Sequence, residues 1–232
     1  SSRSFIDSIK EKTDNRDIIY MPHWGETVFT ESESTTFKNT EIEKIKDFKI
    51  MFAGNIGLAQ DFDTIINAIN KVKNYPIHLV VLGEGRGKKN AMIKVKKMGL
   101  ESKVTFLGFF PLKTMPYFFN EADALLISLK KSDIFAKTVP AKTQSYMALG
   151  KPILTNADGE VSNIIEESES GLIANSGNYT LLAKNMLKLS QLSKEELKMM
   201  ANNGKKYYEV NFNRQKILNN FEKIMDSIVN NK

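Results

Sequence analysis

Cysteine is absent from the 232 residues, which excludes disulfides and thiolate metal sites and fits a cytoplasmic chain; a place at the inner face of the membrane is a separate expectation. Histidine is scarce: only His23 and His78 occur, and they do not lie at metal-ligand spacing. His78 falls within an apolar run and reads as structural, while His23, in "MPHWGE", stays ambiguous. No apolar run approaches the ~20 residues needed to span a bilayer. The opening "SSRSFIDSIKEK" carries no apolar signal core. Hydrophobic residues make up 41% and charged residues 26%, enough apolar material for a sizeable core in a soluble globular protein. The net charge is +6, but the lysines are interleaved with Glu and Asp on predicted helix faces, which reads as solvated surface. A basic face also suits anionic lipids or phosphorylated ligands. No basic stripe with interleaved aromatics is present, so nucleic acid is the least supported partner.

Apolar runs and helical spacings alternate along the chain. Phe48 to Ala53 reads as a buried strand ending in Gly-Asn-Ile-Gly. Phe62, Ile65, Ile66, Ile69 and Val72 follow with the spacing of one helix face. "IHLVVLG" is a second strand, Met92, Val95 and Met98 mark a helix, and "KVTFLG" is a third strand. Thr114 and Pro116 suit a helix start before "YFFNEA". "DALLIS" and "PILTN" are a fourth and a fifth strand, with a helix from "TVPAKTQSYMALGKPIL" between them. A helix over Glu160 to Glu167 and a short strand over Gly171 to Ala174 complete the pattern. Such alternation predicts an α/β fold, a Rossmann-like doubly wound parallel sheet of about six strands covered on both sides. In the tail, Ser193 and Glu196 form a capping box. The last helix carries Ile217, Leu218, Phe221, Ile224, Met225, Ile228 and Val229 on one stripe, expected to cover the domain's own sheet. The head predicts a helix and a strand ("DIIYMP") within residues 1–22, then a charged linker or short helix at "TEIEKIKD".

In an open parallel sheet, ligands bind beyond the carboxyl ends of the strands, where strand order reverses. In the usual order the first and fourth strands flank that point, so "GNIGLAQD" and "LKKSDIFAKTV" are expected side by side. Gly54 and Gly57 would let backbone amides approach a ligand. The helix beginning near Pro140 offers unpaired N–H groups and a positive dipole end to an anion. Lys142 adds charge, and Thr138, Thr143, Gln144 and Ser145 add neutral hydrogen bonds, a set that matches a nucleoside diphosphate. Plain helix capping is the competing reading. "GEGRGKK" (Gly83 to Lys89) fits neither the dinucleotide nor the Walker spacing and reads as a turn into a helix, with a place at the border of a nucleotide as the further expectation.

Six segments in order, "FAGNIGLAQDFDTIINAI", "VVLGEG", "KVTFLGF", "TVPAKTQSYMALGKPIL", "DGE" and "SGLIANSGN", resemble the C-terminal, donor-binding domain of family 4 (group 1) glycosyltransferases of the GT-B fold. The similarity is greatest to the bacterial branch of capsule, O-antigen (lipopolysaccharide) and exopolysaccharide assembly, and it runs over roughly Lys49 to Lys232. The resemblance implies a two-domain enzyme that transfers a sugar, with retention, from a nucleotide sugar, by preference a UDP-sugar, to a glycan or lipid-linked acceptor. It implies no cofactor and no metal, with amides, a helix dipole and Lys142 neutralising the leaving diphosphate. Carried over by position, Gly54, Asn55 and Gly57 face the phosphates or sugar, and Thr138, Lys142, Gln144 and Ser145 the diphosphate and ribose. Leu107, Gly108 and Phe109 border the base, and Asp158, Gly159 and Glu160 reach the sugar or the cleft, with helix capping as the alternative for Glu160. Many relatives carry Arg and Lys where Asn55 and Gln60 stand, and two glutamates where Lys137 and Ser145 stand. Residues 1–47 are expected to be a remnant of the N-terminal domain and the connection, 48–210 the nucleotide-sugar-binding domain, and 211–232 a C-terminal helix for which crossing back to a missing acceptor domain is the alternative to covering its own sheet. Such a fragment would bind donor weakly and transfer nothing alone. The rival readings are a nucleotide-sugar epimerase of the same fold and a non-catalytic Rossmann-type nucleotide-binding module. Peripheral membrane association is a further expectation.

Overall fold

The computed structural model describes residues 2–13, 18–26 and 37–230. A 3-10 turn at Arg3–Phe5 runs into α1 (Ile6–Lys10), and α2 (Thr40–Lys44) follows the connection. Asn39 starts α2 by accepting the N–H groups of Glu41 and Ile42 on its side chain, the usual way of satisfying orphan donors at a helix start. Next come β1 (Phe48–Ala53), α3 (Phe62–Lys71), β2 (Ile77–Leu82), α4 (Lys88–Lys97) and β3 (Val104–Gly108). They are followed by α5 (Met115–Glu121), β4 (Ala124–Ser128), α6 (Asp133–Ala136), α7 (Lys142–Leu149), β5 (Ile153–Asn156), α8 (Glu160–Glu167) and β6 (Gly171–Ala174). Three helices close the chain: α9 (Tyr179–Gln191), α10 (Lys194–Asn211) and α11 (Arg214–Asn230).

All six strands pair in parallel, in the order β3-β2-β1-β4-β5-β6. Alternate side chains of each strand enter different cores. Ile50 and Phe52 of β1 pack with Ile65, Ile66 and Ile69 of α3 and Leu182 and Met186 of α9. Met51 and Ala53 pack with Phe118 and Phe119 of α5 and Tyr146 and Met147 of α7. Continuous apolar runs are therefore what this sheet requires, because neither face meets water. The Rossmann-like doubly wound fold expected from the sequence is the one observed.

Some expectations fail in instructive ways. On α4 the core-facing residues are Ala91 and Val95, whereas Met92 is 47% exposed. No strand forms over residues 18–22; Asp17 lies outside the described residues, as do 14–16 and 27–36. Instead of joining the sheet, residues 19–22 lie beside Val210 and Ile217, at the junction of α10 and α11. The stripe on α11 does not cover the sheet either: only Ile217 is buried, and Phe221, Met225, Ile228 and Val229 remain exposed. It is α10 that packs on the domain, through Gly204 and Tyr208 against α7. The capping box of Ser193 and Glu196 forms, with reciprocal bonds of 3.1 and 2.8 Å.

Two loops leave the carboxyl ends of β1 and β2 in close contact. Gly54 donates to Leu82 O at 3.0 Å, and a Cβ on Gly83 (φ +124) would sit 1.9 Å from Gly54 O. Replacing Gly83 by Ala adds both left-handed strain and a backbone clash, and should cost about 4 kcal/mol. Gly99 also has positive φ (+63) but open space around it, so Gly99→Ala should cost only about 1 kcal/mol. Urea unfolding of the two variants measures the difference; equal losses would mean that the Gly54–Gly83 contact is not tight.

Candidate functional site

The strand order reverses between β1 and β4, and the two loops expected to meet there do meet. Lys130 N–H, after β4, donates to Ala59 O, after β1, at 2.7 Å. Beside this junction lies a cavity of about 470 Å3. Its walls come from the ends of β1 (Ala53, Gly54, Asn55) and β2 (Leu82, Gly83, Glu84). Phe109, Phe110 and Leu112 follow β3, Met115 and Phe119 belong to α5, and Ala141, Lys142, Ser145 and Tyr146 come from the start of α7.

The α7 helix is placed by burial on all sides: Thr143 to Ala148 are all buried. It ends at Gly150 in the left-handed region, followed by Pro152, as the sequence indicates. On its outer side Gly25 is so close that a Cβ there would lie 3.3 Å from the backbone of Gln144. Tyr146 fixes α7 to β1, accepting from Ala53 N–H and donating to Ala53 O, each at 3.3 Å. Burial holds its phenol protonated by raising its pKa.

One turn earlier, Lys142 reaches into the same corner. Its Nζ donates to Ala53 O at 2.9 Å and lies 3.9 Å from the centre of the Phe52 ring. Among the described residues no carboxylate pairs with it. Desolvation of the ammonium lowers its pKa from 10.5 to about 7. Gly54 leaves room for this head group, since a Cβ there would be 3.1 Å from Nζ. The cavity thus offers a mostly apolar and aromatic lining with one poorly compensated cation, which can attract an anion bound against aromatic walls.

Of the residues singled out from the sequence, Gly54, Asn55, Phe109, Lys142 and Ser145 line this cavity. Others are engaged elsewhere. Gly57 N–H is taken by Gln60 Oε1 at 3.0 Å, and Gly54 N–H by Leu82 O, so these amides are not free for a ligand. Thr138 donates to Ile134 O at 2.7 Å and Ser145 to Ala141 O at 3.4 Å. The Gln144 amide, with its nitrogen turned inward, reaches Pro140 O and Ala141 O at 3.2 and 3.1 Å. The polar start of α7 is therefore largely internal, not exposed as the sequence suggested. Leu107 and Gly108 close β3 and lead to Phe109 without lining the cavity.

A second group lies further along the carboxyl edge of the sheet. Lys137 donates to Ser8 Oγ at 2.6 Å, while Glu160 accepts from Arg3 N–H at 3.2 Å and from the Ser4 hydroxyl. Asp158 accepts from Ser176 N–H at 3.1 Å and from Asn175 at 3.3 Å, and Gly159 passes against Ala136 O. His78 is buried and paired with Thr105 Oγ1 at 2.8 Å, and its pKa is lowered by burial, as befits a structural histidine. No group of three or more His, Asp or Glu among the described residues could hold a metal ion.

Sequence reasoning missed Leu82, Phe110, Leu112, Met115, Phe119 and Tyr146 as wall residues. Tyr146 had a usable signal, a hydroxyl on an otherwise apolar buried turn. The "GEGRGKK" turn does border the cavity, through Gly83 and Glu84.

Comparison with known proteins places the chain in a family. The family described as "Glycosyl transferases group 1" matches residues 33–207. A Pseudomonas aeruginosa protein named "Probable glycosyltransferase WbjE" is 31% identical over 173 residues, covering 70% of this chain and 42% of that protein. The Erwinia amylovora amylovoran biosynthesis glycosyltransferase AmsK is 32% identical over 93 residues, 40% of this chain and 23% of that one. A crystal structure of an S. aureus TarM mutant in complex with fondaparinux, alpha-GlcNAc-glycerol and UDP superposes with a TM-score of 0.76. It shares 13% identity and covers 96% of this chain and 42% of that chain, a likeness of fold. The chain spans about two fifths of the length of WbjE and TarM. Matched over most of its length, the chain belongs to the group 1 glycosyl transferase family.

Proposed function

We propose that this chain is the donor-binding half of a retaining glycosyltransferase, taking a sugar from a nucleotide sugar for bacterial surface polysaccharide synthesis. The observation that carries this reading is Lys142, a cation held without a carboxylate at the wall of the reversal-point cavity. A nucleoside diphosphate fits both halves of the chemistry. Its phosphates answer the ammonium, and its base answers the aromatic wall of Phe109 and Phe110. UDP is preferred on the family resemblance, and the UDP in the TarM structure supports it. The acceptor, a glycan or a lipid-linked sugar, is assigned to a separate domain. Retention and the absence of a metal requirement rest on the resemblance alone. The epimerase reading is less supported, because Glu84 is the only carboxylate lining the cavity among the described residues, and Lys88 holds it at 2.5 Å.

In this mechanism Lys142 neutralises charge that grows on the leaving diphosphate as the glycosidic bond breaks. A thermal-shift series with UDP, UDP-sugars and GDP-sugars tests the site, since a ligand of the folded state raises its stability. Uridine ligands should protect the chain, and Lys142→Met should weaken them by about 10- to 100-fold, the range for a charged hydrogen bond. The same variant without ligand should melt higher than the parent at pH 6, because it removes an uncompensated charge. Protection by no nucleotide, or protection unchanged in Lys142→Met, would refute the assignment.

The lysine also sets opposite pH trends for folding and binding. Below about pH 7 it is charged in both folded and unfolded chains, so its burial cost is fully present. From 7 toward 10.5 the unfolded chain binds more protons, and its contribution to stability rises with pH. A diphosphate is held better by the protonated form, so affinity should fall above the lysine pKa and level off about 10- to 100-fold lower, the loss given by Lys142→Met. Isothermal titration between neutral and alkaline pH checks this, and a flat profile would count against it.

A further inference from the structure

We propose that the outer face of α4 docks this protein on an anionic lipid bilayer. The segment from Arg86 to Lys97 holds six cations, Arg86, Lys88, Lys89, Lys94, Lys96 and Lys97, and no acid. Two of them are spent inside the fold, Lys88 on Glu84 at 2.5 Å and Lys94 on Asp63 at 2.6 Å. The remaining helical lysines, 89, 96 and 97, are exposed and have no ion pair among the described residues.

Spacing puts them on one stripe. Lys89, Met92, Ile93, Lys96 and Lys97 follow i, i+3, i+4, i+7, i+8, which is a single helix face. That face points away from the core, which α4 meets through Ala91 and Val95. Met92 and Ile93 at its centre are 47% and 56% exposed. An amphipathic helix ordinarily hides its aliphatic residues; here two sit outside, framed by three cations. Beside the stripe, between α3 and α4, is a depression of about 550 Å3 lined by Asn67, Asn90, Ile93, Lys97 and Met98 together with the Asp63–Lys94 pair. Amide groups and a lysine over an aliphatic floor suit a phosphate headgroup with acyl chain beneath.

Charge alone would also attract nucleic acid, but the stripe carries no aromatic residue on which a base could stack. Exposed methionine and isoleucine gain nothing from a phosphodiester backbone. They gain from the boundary between headgroups and acyl chains, where lysine stems can extend back to the phosphates. The inference does not rest on the donor reading, since none of these residues lines the cavity.

Flotation of the whole chain with phosphatidylcholine vesicles, with and without phosphatidylglycerol, tests it. Binding is expected only to the anionic vesicles and should weaken with added salt. Lys89→Glu/Lys96→Glu/Lys97→Glu should weaken it about 100-fold, at the usual contribution of one lysine near an anionic surface. Ile93→Asp should weaken it about tenfold. Lys184→Glu/Lys198→Glu/Lys206→Glu makes the same charge change on α9 and α10 and should leave binding within about threefold. Melting curves confirm that each variant folds. Equal losses from the two triple variants, retained binding in the α4 variant, or no vesicle binding would overturn the proposal. So would binding to single-stranded RNA that the α4 substitutions abolish while vesicles bind nothing.

Discussion

A parallel strand cannot join its neighbour through a tight turn, so each strand hands the chain to a crossover lying on one face of the sheet. Six such strands need helices on both faces, and both sides of every strand become core. The chain places β2 and β3 on one side of β1 and then returns to build β4 on the other. At that seam the loops after β1 and β4 touch, and the cavity lies beside the contact, over the ends of β1 and β2 and against the start of α7. Its place therefore follows from strand order, before any side chain is considered. What the side chains decide is how polar the space is.

Lys142 is costly where it stands. A carbonyl and an aromatic ring compensate its charge only in part, which is why desolvation dominates its titration. A carboxylate beside it would make the fold more comfortable and would cancel the field that an incoming phosphate meets. The arrangement trades stability for an unspent charge, the usual relation between a binding site and its scaffold. Burial of α7 on every side makes this tolerable, because the helix cannot tilt to release the ammonium to water.

Most of the fold was legible because its signals are local. The boundaries of β1, β6 and α8 can be read directly from apolar runs and from Gly and Glu positions. The reversal point was legible too, through topology rules that need only strand sequence. The failures share one cause: they depend on what lies across from a residue. Met92 and Val95 look alike in a periodic pattern, and only the packed partner tells core from surface. The polar start of α7 reads as exposed because its covering, Gly25 and the neighbourhood of Tyr208, comes from distant parts of the chain. Engaged amides, such as that of Gly54, cannot be seen without the end of β2 that engages them.

That covering has its own consequence for how the protein comes together. Gly25 lies against Gln144 and Ser145, and Tyr208 of α10 shares a core with Tyr146 and Met147 of α7. The helix that carries Lys142 is thus enclosed by segments far from it in sequence on either side. During synthesis the sheet can assemble strand by strand, but this enclosure waits until α10 has left the ribosome. Contacts of such long sequence separation carry the largest loop-closure cost. The cavity wall that carries Lys142 therefore rests on contacts distant in sequence.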